Sequence, residues 1–383
     1  MKRSSDRILT THAGSLPRPA DILEKLAAKA QAAFDEPGTA ERLRKAVVEI
    51  VRKQVDLGVD IVDDGEQGKV GFIPYINERL AGFELDTTRL AVSPWAHSRE
   101  ARSFPEFYAP THAAAAPNRM VCTGPISYKG QKPLQRDIDN LKAALKAAKV
   151  EEAFMPSVSP TSVADWHRNA HYKSYEDYLF AVADAMHQEY KTITDAGFLV
   201  QIDDPHLVTQ WITEPYESID ECRKAAQMQV DALNHALRGI APEKVRHHTC
   251  YGINIGPRIH DLELKHLVDI ILTINAQAYS FEASNPRHEH EWQVWETVKL
   301  PDGKIVIPGV ISHSTVVVEH PELVAQRLTR FAGVCGRENV IAGSDCGFAT
   351  FAASKEIHPS IVWAKFQALS DGARIASKQL WGR

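Results

Sequence analysis

The most specific local feature of this sequence is a histidine and a cysteine separated by one residue, His248-Thr249-Cys250. Successive side chains of a β-strand point to opposite sides, so residues i and i+2 share a side. A His-x-Cys pair at the end of a strand would therefore aim an imidazole and a thiolate at one point. Zinc accepts both ligands, and thiolate donors disfavour magnesium and calcium. The pair indicates a metal site.

Two further ligand types, Glu282 and Cys346, follow short apolar runs that are typical of strands. If the strands close into a barrel, these two side chains can converge with His248 and Cys250 on one Zn2+ ion in a tetrahedral set. The spacing alone also allows a plainer interpretation. Isolated cysteines are commonly small buried hydrophobic residues, and the chain has no Cys-x-x-Cys pair.

The elements that must position these residues follow a repeated pattern, in which an apolar run ends in polar residues and a helix follows. Nine candidate strands show it, at Arg7–Thr11, Asp60–Val62, Met120–Cys122, Phe154–Val158, Leu199–Ile202, Val245–Cys250, Tyr279–Phe281, Ile305–Ile311 and Val340–Ala342. Helices are predicted at 20–33, 39–57, 134–147, 175–196, 216–238, 319–333 and 356–379. Alternating strands and helices predict a parallel α/β sheet, and about eight units predict a single (β/α)8 TIM-type barrel. One candidate strand is then an extra element.

A doubly wound sheet is the rival fold. The sequence offers no G-x-G-x-x-G after the first strand and no G-x-x-x-x-G-K-[ST] loop to support it. No shift in composition marks a domain boundary, so we expect residues 1–383 to form one barrel domain. The least regular stretch, 85–118, contains scattered prolines and an alanine run. We interpret it as an insertion on an elaborated barrel rim.

Charge and composition exclude several classes of protein. The chain has 44 Lys+Arg against 49 Asp+Glu and a net charge of −5, so it lacks the basic footprint of a nucleic-acid binder. No stretch approaches the roughly 18 apolar residues of a membrane span, and no secretory signal is visible. The five scattered cysteines are too few for a disulfide scaffold, which favours a reduced, cytoplasmic protein.

Six short motifs occur in an order that resembles the catalytic domain of cobalamin-independent methionine synthase. They are Thr10-Thr11-His12-Ala13-Gly14-Ser15-Leu16-Pro17-Arg18, Asp64-Gly65-Glu66, Thr123-Gly124-Pro125, Gln201-Ile202-Asp203-Asp204-Pro205, His248-Thr249-Cys250-Tyr251 and Asp345-Cys346-Gly347. Each motif is weak alone, but the ordered combination covers most of the chain and is specific.

The resemblance implies a (β/α)8 barrel and a set of site residues. It implies zinc bound by His248, Cys250, Glu282 and Cys346, with the thiol of homocysteine joining the metal. It places Ser15, Glu66 and Asp203 at the amino-acid end of that substrate. It places His313 near the family's proton-donating histidine, which would act as a general acid on the departing methyl carrier. The implied activity is methyl transfer to homocysteine, giving methionine.

The methyl donor is the part of the implied function that the sequence leaves open. The chain has one barrel's worth of residues, whereas the full-length family carries a second barrel that helps to hold folate. The stretches after Cys346 and Glu282 diverge from the family pattern, and the region 126–172 looks longer. The donor is therefore 5-methyl-tetrahydrofolate or another carrier, such as a corrinoid.

Other activities remain compatible with the same residues. A zinc-dependent thiol alkyltransferase that joins an epoxide to coenzyme M would need a cation for the sulfonate, and Arg18, Lys69 or Arg287 could supply it. An O- or N-demethylase is a further variant. A non-catalytic zinc or corrinoid-handling module is an alternative of another class.

Overall fold

Eight short strands of buried, mainly aliphatic residues form the centre of the protein. The computed structural model describes residues 1–27, 34–87, 94–112, 120–252, 256–352 and 357–382. The strands are β1 (Leu9–Thr10), β2 (Ile61–Val62), β5 (Glu152–Val158), β7 (Leu199–Asp203), β8 (Val245–His248), β9 (Ala278–Phe281), β10 (Ile305–Ile311) and β11 (Ile341–Ser344). They pair in parallel in the order β1-β11-β10-β9-β8-β7-β5-β2.

The two ends of this sheet approach each other. The backbone N–H of Asp60, just before β2, donates to the carbonyl of Thr10 in β1 over 3.1 Å. The Thr11 hydroxyl donates to the carbonyl of Ile61 over 3.0 Å. The sheet is thus a nearly closed eight-stranded barrel, and the predicted TIM-type fold is confirmed.

A small three-stranded sheet accounts for the extra strand. It contains β3 (Leu80–Leu85), β4 (Met120–Tyr128) and β6 (Arg168–Asn169), with β3 antiparallel and β6 parallel to β4. The predicted strand Met120–Cys122 is therefore not a barrel strand. Its longer form, β4, alternates between exposed and half-buried side chains over residues 123–127, as expected of a sheet with one solvated face.

Fourteen α-helices lie among the described residues. They are α1 (Ala20–Ala27), α2 (Pro37–Asp56), α3 (Ile76–Arg79), α4 (Arg99–Ser103), α5 (Pro105–His112), α6 (Gln131–Leu145), α7 (Pro160–Trp166), α8 (Tyr175–Asp195), α9 (His206–Thr213), α10 (Ile219–Ala236), α11 (Val268–Ile271), α12 (Val294–Thr297), α13 (Pro321–Cys335) and α14 (Pro359–Trp381). The seven predicted helices lie close to their predicted positions, as α1, α2, α6, α8, α10, α13 and α14. The end of the predicted helix 20–33 lies outside the described residues. No helix among the described residues is long and apolar enough to cross a membrane.

Successive side chains of each barrel strand point alternately into the barrel and toward the helices, which divides the core into two layers. One cluster, drawn from seven of the barrel strands, fills the barrel interior with side chains such as Leu9, Ile61, Phe154 and Ile341. Their sequence neighbours, for example Met155 beside Phe154, belong to the larger cluster beneath the helices. This period-two division is what a closed sheet covered by helices requires.

The segment expected to be a rim insertion, 85–118, contains α4 and α5 within its described residues. Arg99 of this segment donates to the carbonyl of Trp211 over 2.7 Å and lies over that ring at 4.0 Å. Glu100 accepts the backbone N–H of His260 over 2.7 Å. Trp211 follows β7 and His260 follows β8, so these helices pack at the end of the barrel where the strands deliver their polar residues.

Candidate metal centre

Three of the four predicted ligands meet at the carboxyl ends of β8 and β11. One ligand atom from each of His248, Cys250 and Cys346 lies within 4.8 Å of the other two, and all three side chains are buried. The two Sγ atoms are 3.3 Å apart, and both cysteines are free thiols. A buried nitrogen and two sulfurs at this separation are the donor set that zinc prefers.

The orientation of His248 leaves one ring nitrogen for a ligand. Its Nδ1 shares a hydrogen bond of 3.0 Å with the Ser280 hydroxyl of β9, whereas Nε2 is buried and has no hydrogen-bond partner in the described part of the chain. Burial lowers the pKa of His248 to about 3, helped by the nearby charge of Arg246, so the ring is neutral at neutral pH. A neutral imidazole fixed through its other nitrogen is the form that binds a metal. These residues therefore fit a zinc ion.

The strand that carries this histidine is shorter than the sequence predicts. β8 ends at His248, so Cys250 lies in the loop that follows and not in the strand. The loop still brings Cys250 beside Cys346, because β8 and β11 end at the same face of the barrel.

Asp345 ties the loop that carries Cys346 to the loop after β9. Its Oδ1 accepts the backbone N–H groups of Ala283 and Ser284, at 2.8 and 3.0 Å, and its Oδ2 accepts the Ser284 hydroxyl over 2.6 Å. A Cβ at Gly309 would lie 2.3 Å from Oδ1, so this strand position has no room for a side chain. Asp345 thus fixes the relative position of Cys346 and Glu282.

Glu282, the fourth predicted ligand, lies beside the cluster but has other partners. Its carboxylate accepts hydrogen bonds from the Tyr251 backbone (2.7 Å), the Arg258 guanidinium (2.9 Å) and the Asn285 amide (2.7 Å). Burial raises the pKa of Glu282, but Arg258 and His313 outweigh it and bring that pKa down to about 2. The carboxylate is ionised, and its role as a metal ligand stays a prediction.

A pocket opens onto the cluster. Six of the eight predicted site residues line it: Ser15, Glu66, Asp203, His248, Cys250 and Cys346. The three residues expected at the amino-acid end of a substrate therefore share one cavity with the three sulfur and nitrogen ligands.

Glu66 is held in this pocket in a strained conformation. Its φ is +54°, in the left-handed region that non-glycine residues rarely adopt. Arg18 Nε donates to its backbone carbonyl over 3.0 Å, and Lys69 Nζ lies 3.1 Å from its carboxylate. Lys69 also donates to the carbonyl of Pro156 over 2.7 Å. A strained backbone conformation persists only where neighbouring groups hold it in place, and Arg18 and Lys69 do so for Glu66.

Asp203 is the second carboxyl of the pocket. It accepts a 2.7 Å hydrogen bond from Gln201 Nε2. Burial, with a further contribution from the charge of Glu66, raises the pKa of Asp203 well above its usual value. Two buried carboxyl groups that face one cavity favour a cationic ligand, because a positive charge relieves both their desolvation and their mutual repulsion.

Ser15 borders the same pocket and contacts the loop that follows Cys346. The carbonyl of Ser15 accepts the backbone N–H of Phe348 over 2.9 Å, and its hydroxyl accepts that of Ala349 over 3.4 Å. A Cβ at Gly347 would lie only 2.0 Å from the Ser15 hydroxyl. The glycine in Asp345-Cys346-Gly347 is therefore explained by the approach of Ser15.

His313 follows β10 and is buried, but it does not border the described pocket. Burial lowers its pKa to about 4 despite the opposing charge of Glu282. The carbonyl of Gly252 lies near the ring, but no hydrogen bond of ordinary geometry reaches either ring nitrogen from the described residues. The loop is anchored by Glu319, which accepts the backbone N–H of Ser312 and pairs with buried Lys365 at 2.9 Å.

Three contributors to the site carry no candidate role in the sequence. Ser280 lies on β9, two residues before Glu282. Because alternate residues of a strand point to the same side, the sequence pattern could have identified Ser280 as a neighbour of the site. Asp345 is adjacent to the predicted ligand Cys346, but its hydrogen-bond partners lie on the loop after β9, so the sequence does not indicate its role. Arg258 gives no sequence signal, because it acts from an irregular loop.

The chain matches a family model described as "Cobalamin-independent synthase, Catalytic domain" over residues 8–106 and 130–362. It is 23% identical over 372 residues to a methionine synthase of Sulfurisphaera tokodaii, covering 97% of this chain and 93% of that protein. It is 24% identical over 341 residues to a methionine synthase of Sulfolobus acidocaldarius, covering 88% and 85% of the two chains.

Solved structures share the fold. A B12-independent methionine synthase from Shewanella sp. W3-18-1, in complex with selenomethionine, superposes with a TM-score of 0.73 at 20% identity, covering 98% of this chain and 100% of that one. A putative vitamin-B12 independent methionine synthase from Listeria monocytogenes gives a TM-score of 0.65 at 16% identity, with the same coverage of 98% and 100%.

Proposed function

The chain belongs to the cobalamin-independent methionine synthase family, within its catalytic domain, and from that premise we propose that it transfers a methyl group to the thiol of homocysteine at a zinc site. One observation carries the proposal. A buried His/Cys/Cys cluster and two buried carboxyl groups share a single pocket. The cluster suits a thiolate-binding metal, and the carboxyl groups suit the ammonium of an amino acid.

His248, Cys250 and Cys346 would hold the ion, with Glu282 as the predicted fourth ligand. Zinc bound there supplies the charge that keeps an incoming thiol ionised at neutral pH, since an unperturbed thiol has a pKa of about 8.5. The protein's part is to fix the three ligand atoms, through Ser280 for the imidazole and through Asp345 for the cysteine loop.

Ser15, Glu66 and Asp203 would bind the amino-acid end of the thiol substrate. The two buried carboxyl groups that line the pocket, Glu66 and Asp203, suit an ammonium group. A sulfonate such as that of coenzyme M is disfavoured. Arg18 and Lys69 are both engaged with Glu66, and neither they nor Arg287 lines the described pocket.

The proton requirement depends on the methyl donor. An amine leaving group, as in 5-methyl-tetrahydrofolate, must be protonated as its bond to the methyl carbon breaks, and His313 is the proposed acid. A methyl corrinoid leaves as reduced cobalt and needs no proton. We further propose that residues 1–383 form one domain and that 85–118 is an insertion at its rim.

The test is a donor screen with homocysteine and the zinc-loaded protein, using methylated folate with one and with several glutamates, methylcobalamin and simple methoxy compounds. Methionine formation from at least one donor is the expected result. His313→Asn should slow the folate reaction and leave a methylcobalamin reaction unchanged; equal rates with folate would remove His313 as the acid.

Cys346→Ala tests the metal centre itself. It should lose zinc and activity, whereas Cys335→Ala, a matched change of a buried cysteine on α13, should keep both. Metal content is read by elemental analysis and fold by circular dichroism. A folded Cys346→Ala protein with full zinc and full rate would contradict the proposed function.

A further inference from the structure

Lys69 is a buried cation directly behind the pocket wall. Its Nζ lies 3.1 Å from Oε1 of Glu66 and donates to the carbonyl of Pro156 over 2.7 Å. It also lies 4.3 Å from the centre of the Tyr75 ring, within the range of a cation–π contact. Lys69 is not among the residues that line the pocket, whereas Glu66 is. It therefore acts on a ligand in the pocket without touching that ligand.

Lys69 is the charge partner of the Glu66 carboxylate. In the part of the chain that the structure describes, no other cation lies within 4.0 Å of that carboxylate. Arg18 comes near, but its Nε donates to the backbone carbonyl of Glu66. Burial lowers the pKa of Lys69, but the charges of acidic neighbours, chiefly Glu66, outweigh burial and raise that pKa above its usual value. The ammonium therefore stays charged at neutral pH.

A tight turn of the backbone brings Lys69 back to Glu66. The backbone N–H of Lys69 donates to the carbonyl of Glu66 over 3.0 Å, and Asp64 Oδ1 accepts the backbone N–H of Glu66 over 2.9 Å. Glu66 sits at the start of this turn with its φ of +54°. Both the backbone and the side chain of Lys69 thus hold Glu66 in a conformation that it would not adopt alone.

Buried hydrogen bonds fix the ring against which Lys69 packs. The Tyr75 hydroxyl donates to the carboxylate of Glu189 over 2.9 Å and accepts the backbone N–H of Val158 over 3.1 Å. The ring is therefore tied both to α8 and to β5. Lys69 lies between this ring, a carbonyl of β5 and the Glu66 carboxylate, so its ammonium has a single well-defined position.

The charge of Lys69 also acts on Asp203, the second carboxyl of the pocket. Burial and the charge of Glu66 raise the pKa of Asp203, whereas the charge of Lys69 opposes that rise. Without Lys69, the Glu66 carboxylate would be a buried charge without a partner, which is costly. The carboxylate would then rotate or take up a proton. Either change would weaken its contact with the ammonium of a ligand.

We propose that Lys69 is a positioning residue, which holds the Glu66 carboxylate toward the pocket and thereby sets the preference of the pocket for ligands with an α-ammonium group. This inference rests on the proposed function. Oε1 of Glu66 pairs with Lys69, and no donor of the described residues makes a hydrogen bond with Oε2. Lys69 and the ligand ammonium would balance Glu66 and Asp203 one for one, so that neither carboxylate is buried without a cation.

The test compares two ligands that differ only in the amino group, methionine and desamino-methionine. Neither has a thiol to ionise, so calorimetry of the zinc-loaded protein reports the amino-acid end alone. The unaltered protein should bind desamino-methionine about 100-fold more weakly, because a charge-assisted contact is lost. Lys69→Met should reduce this ratio about tenfold or more, and Lys69→Arg, which keeps the charge, should retain part of it. An unchanged or larger ratio in Lys69→Met would overturn the inference.

A matched control separates positioning from a general loss of stability. Lys365→Met removes the cation of another buried lysine–glutamate pair, and neither residue of that pair lines the described pocket. This variant should unfold at lower urea concentration and keep the ligand ratio of the unaltered protein. An equal fall of the ratio in Lys365→Met would show that lost stability alone explains the effect, and the inference would fail.

A double-mutant cycle with Glu66→Gln keeps the test decisive where Lys69→Met alone is too unstable to study. The double variant Lys69→Met/Glu66→Gln contains no unpaired charge at this place and should recover stability. Glu66→Gln alone should lower the ligand ratio, and adding Lys69→Met should lower it no further, because Lys69 acts through Glu66. A further fall in the double variant would overturn that route.

Failure of the proposed function would give a different result. If the unaltered protein bound neither methionine nor homocysteine, the pocket would not be an amino-acid site, and the proposed function would fail together with this inference. If the unaltered protein bound methionine and Lys69→Met kept the full preference for it over desamino-methionine, only the role of Lys69 would fail.

Discussion

Replacing Gly347 by alanine should disturb the pocket at a single, identifiable contact. The added Cβ would lie 2.0 Å from the Ser15 hydroxyl, 3.2 Å from Ser15 Cβ and 3.3 Å from Ser15 N. Carbon atoms in good contact are about 3.5 to 4.0 Å apart. The hydroxyl can rotate away and lose its 3.4 Å hydrogen bond with the Ala349 backbone. The other two contacts require Ser15 or the loop after Cys346 to move.

The expected cost follows from that geometry. Overpacking of this kind lowers the free energy of unfolding by about 1 to 3 kcal/mol. Ser15 borders the pocket, so its displacement should also weaken homocysteine binding. If returning Ser15 to its binding position costs about 1.4 kcal/mol of strain, the affinity for homocysteine falls about tenfold. In a Ser15→Ala background the most severe clash is absent. The same change should then cost about 1 kcal/mol less.

The assay is urea unfolding of the four proteins in this double-mutant cycle, with homocysteine affinity measured by calorimetry. Gly333→Ala is the matched control, since a Cβ there on α13 meets nothing within 4 Å. The control should be neutral or stabilising by up to about 1 kcal/mol. If Gly347→Ala is as costly with Ala at position 15 as with serine, the clash does not involve the hydroxyl and the reasoning is refuted.

Three further predictions concern side chains that support the site. Ser280→Ala removes the hydrogen-bond partner of the His248 imidazole, a ligand of the proposed zinc site, and should weaken zinc binding about 10- to 100-fold in a chelator competition; unchanged affinity would mean that the ring is oriented by other groups. Lys365→Met leaves Glu319 buried without its cation and should cost about 3 to 5 kcal/mol in urea unfolding, part of which Glu319→Gln should restore; no restoration would show that the pair is uncoupled. The two carboxylates beside His288 outweigh its burial and raise its pKa from 6.5 to about 9. Its contribution to stability is therefore complete below pH 6.5 and lost as pH rises through 9, a change of at most about 3 kcal/mol. His288→Gln should flatten that pH dependence, and an unflattened curve would contradict the assignment.

The sequence is sufficient to predict the barrel and six of the residues that line the described pocket. Strand and helix periods are local, so the alternation of elements can be read without tertiary contacts. Once parallel strands close into a barrel, their carboxyl ends meet on one face. That geometry is why Cys250 and Cys346, 96 residues apart, could be expected at one point, and why their sulfurs lie 3.3 Å from each other.

The tertiary structure alone decides which polar groups pair with each other. The place of Met120–Tyr128 outside the barrel depends on its pairing with Leu80–Leu85, which no local period specifies. Likewise Arg258 reaches Glu282 from an irregular loop, and Lys69 pairs with Glu66. Hydrogen-bond and ion-pair partners are set by the paths of loops in three dimensions, whereas periodicity records only which face of an element is buried.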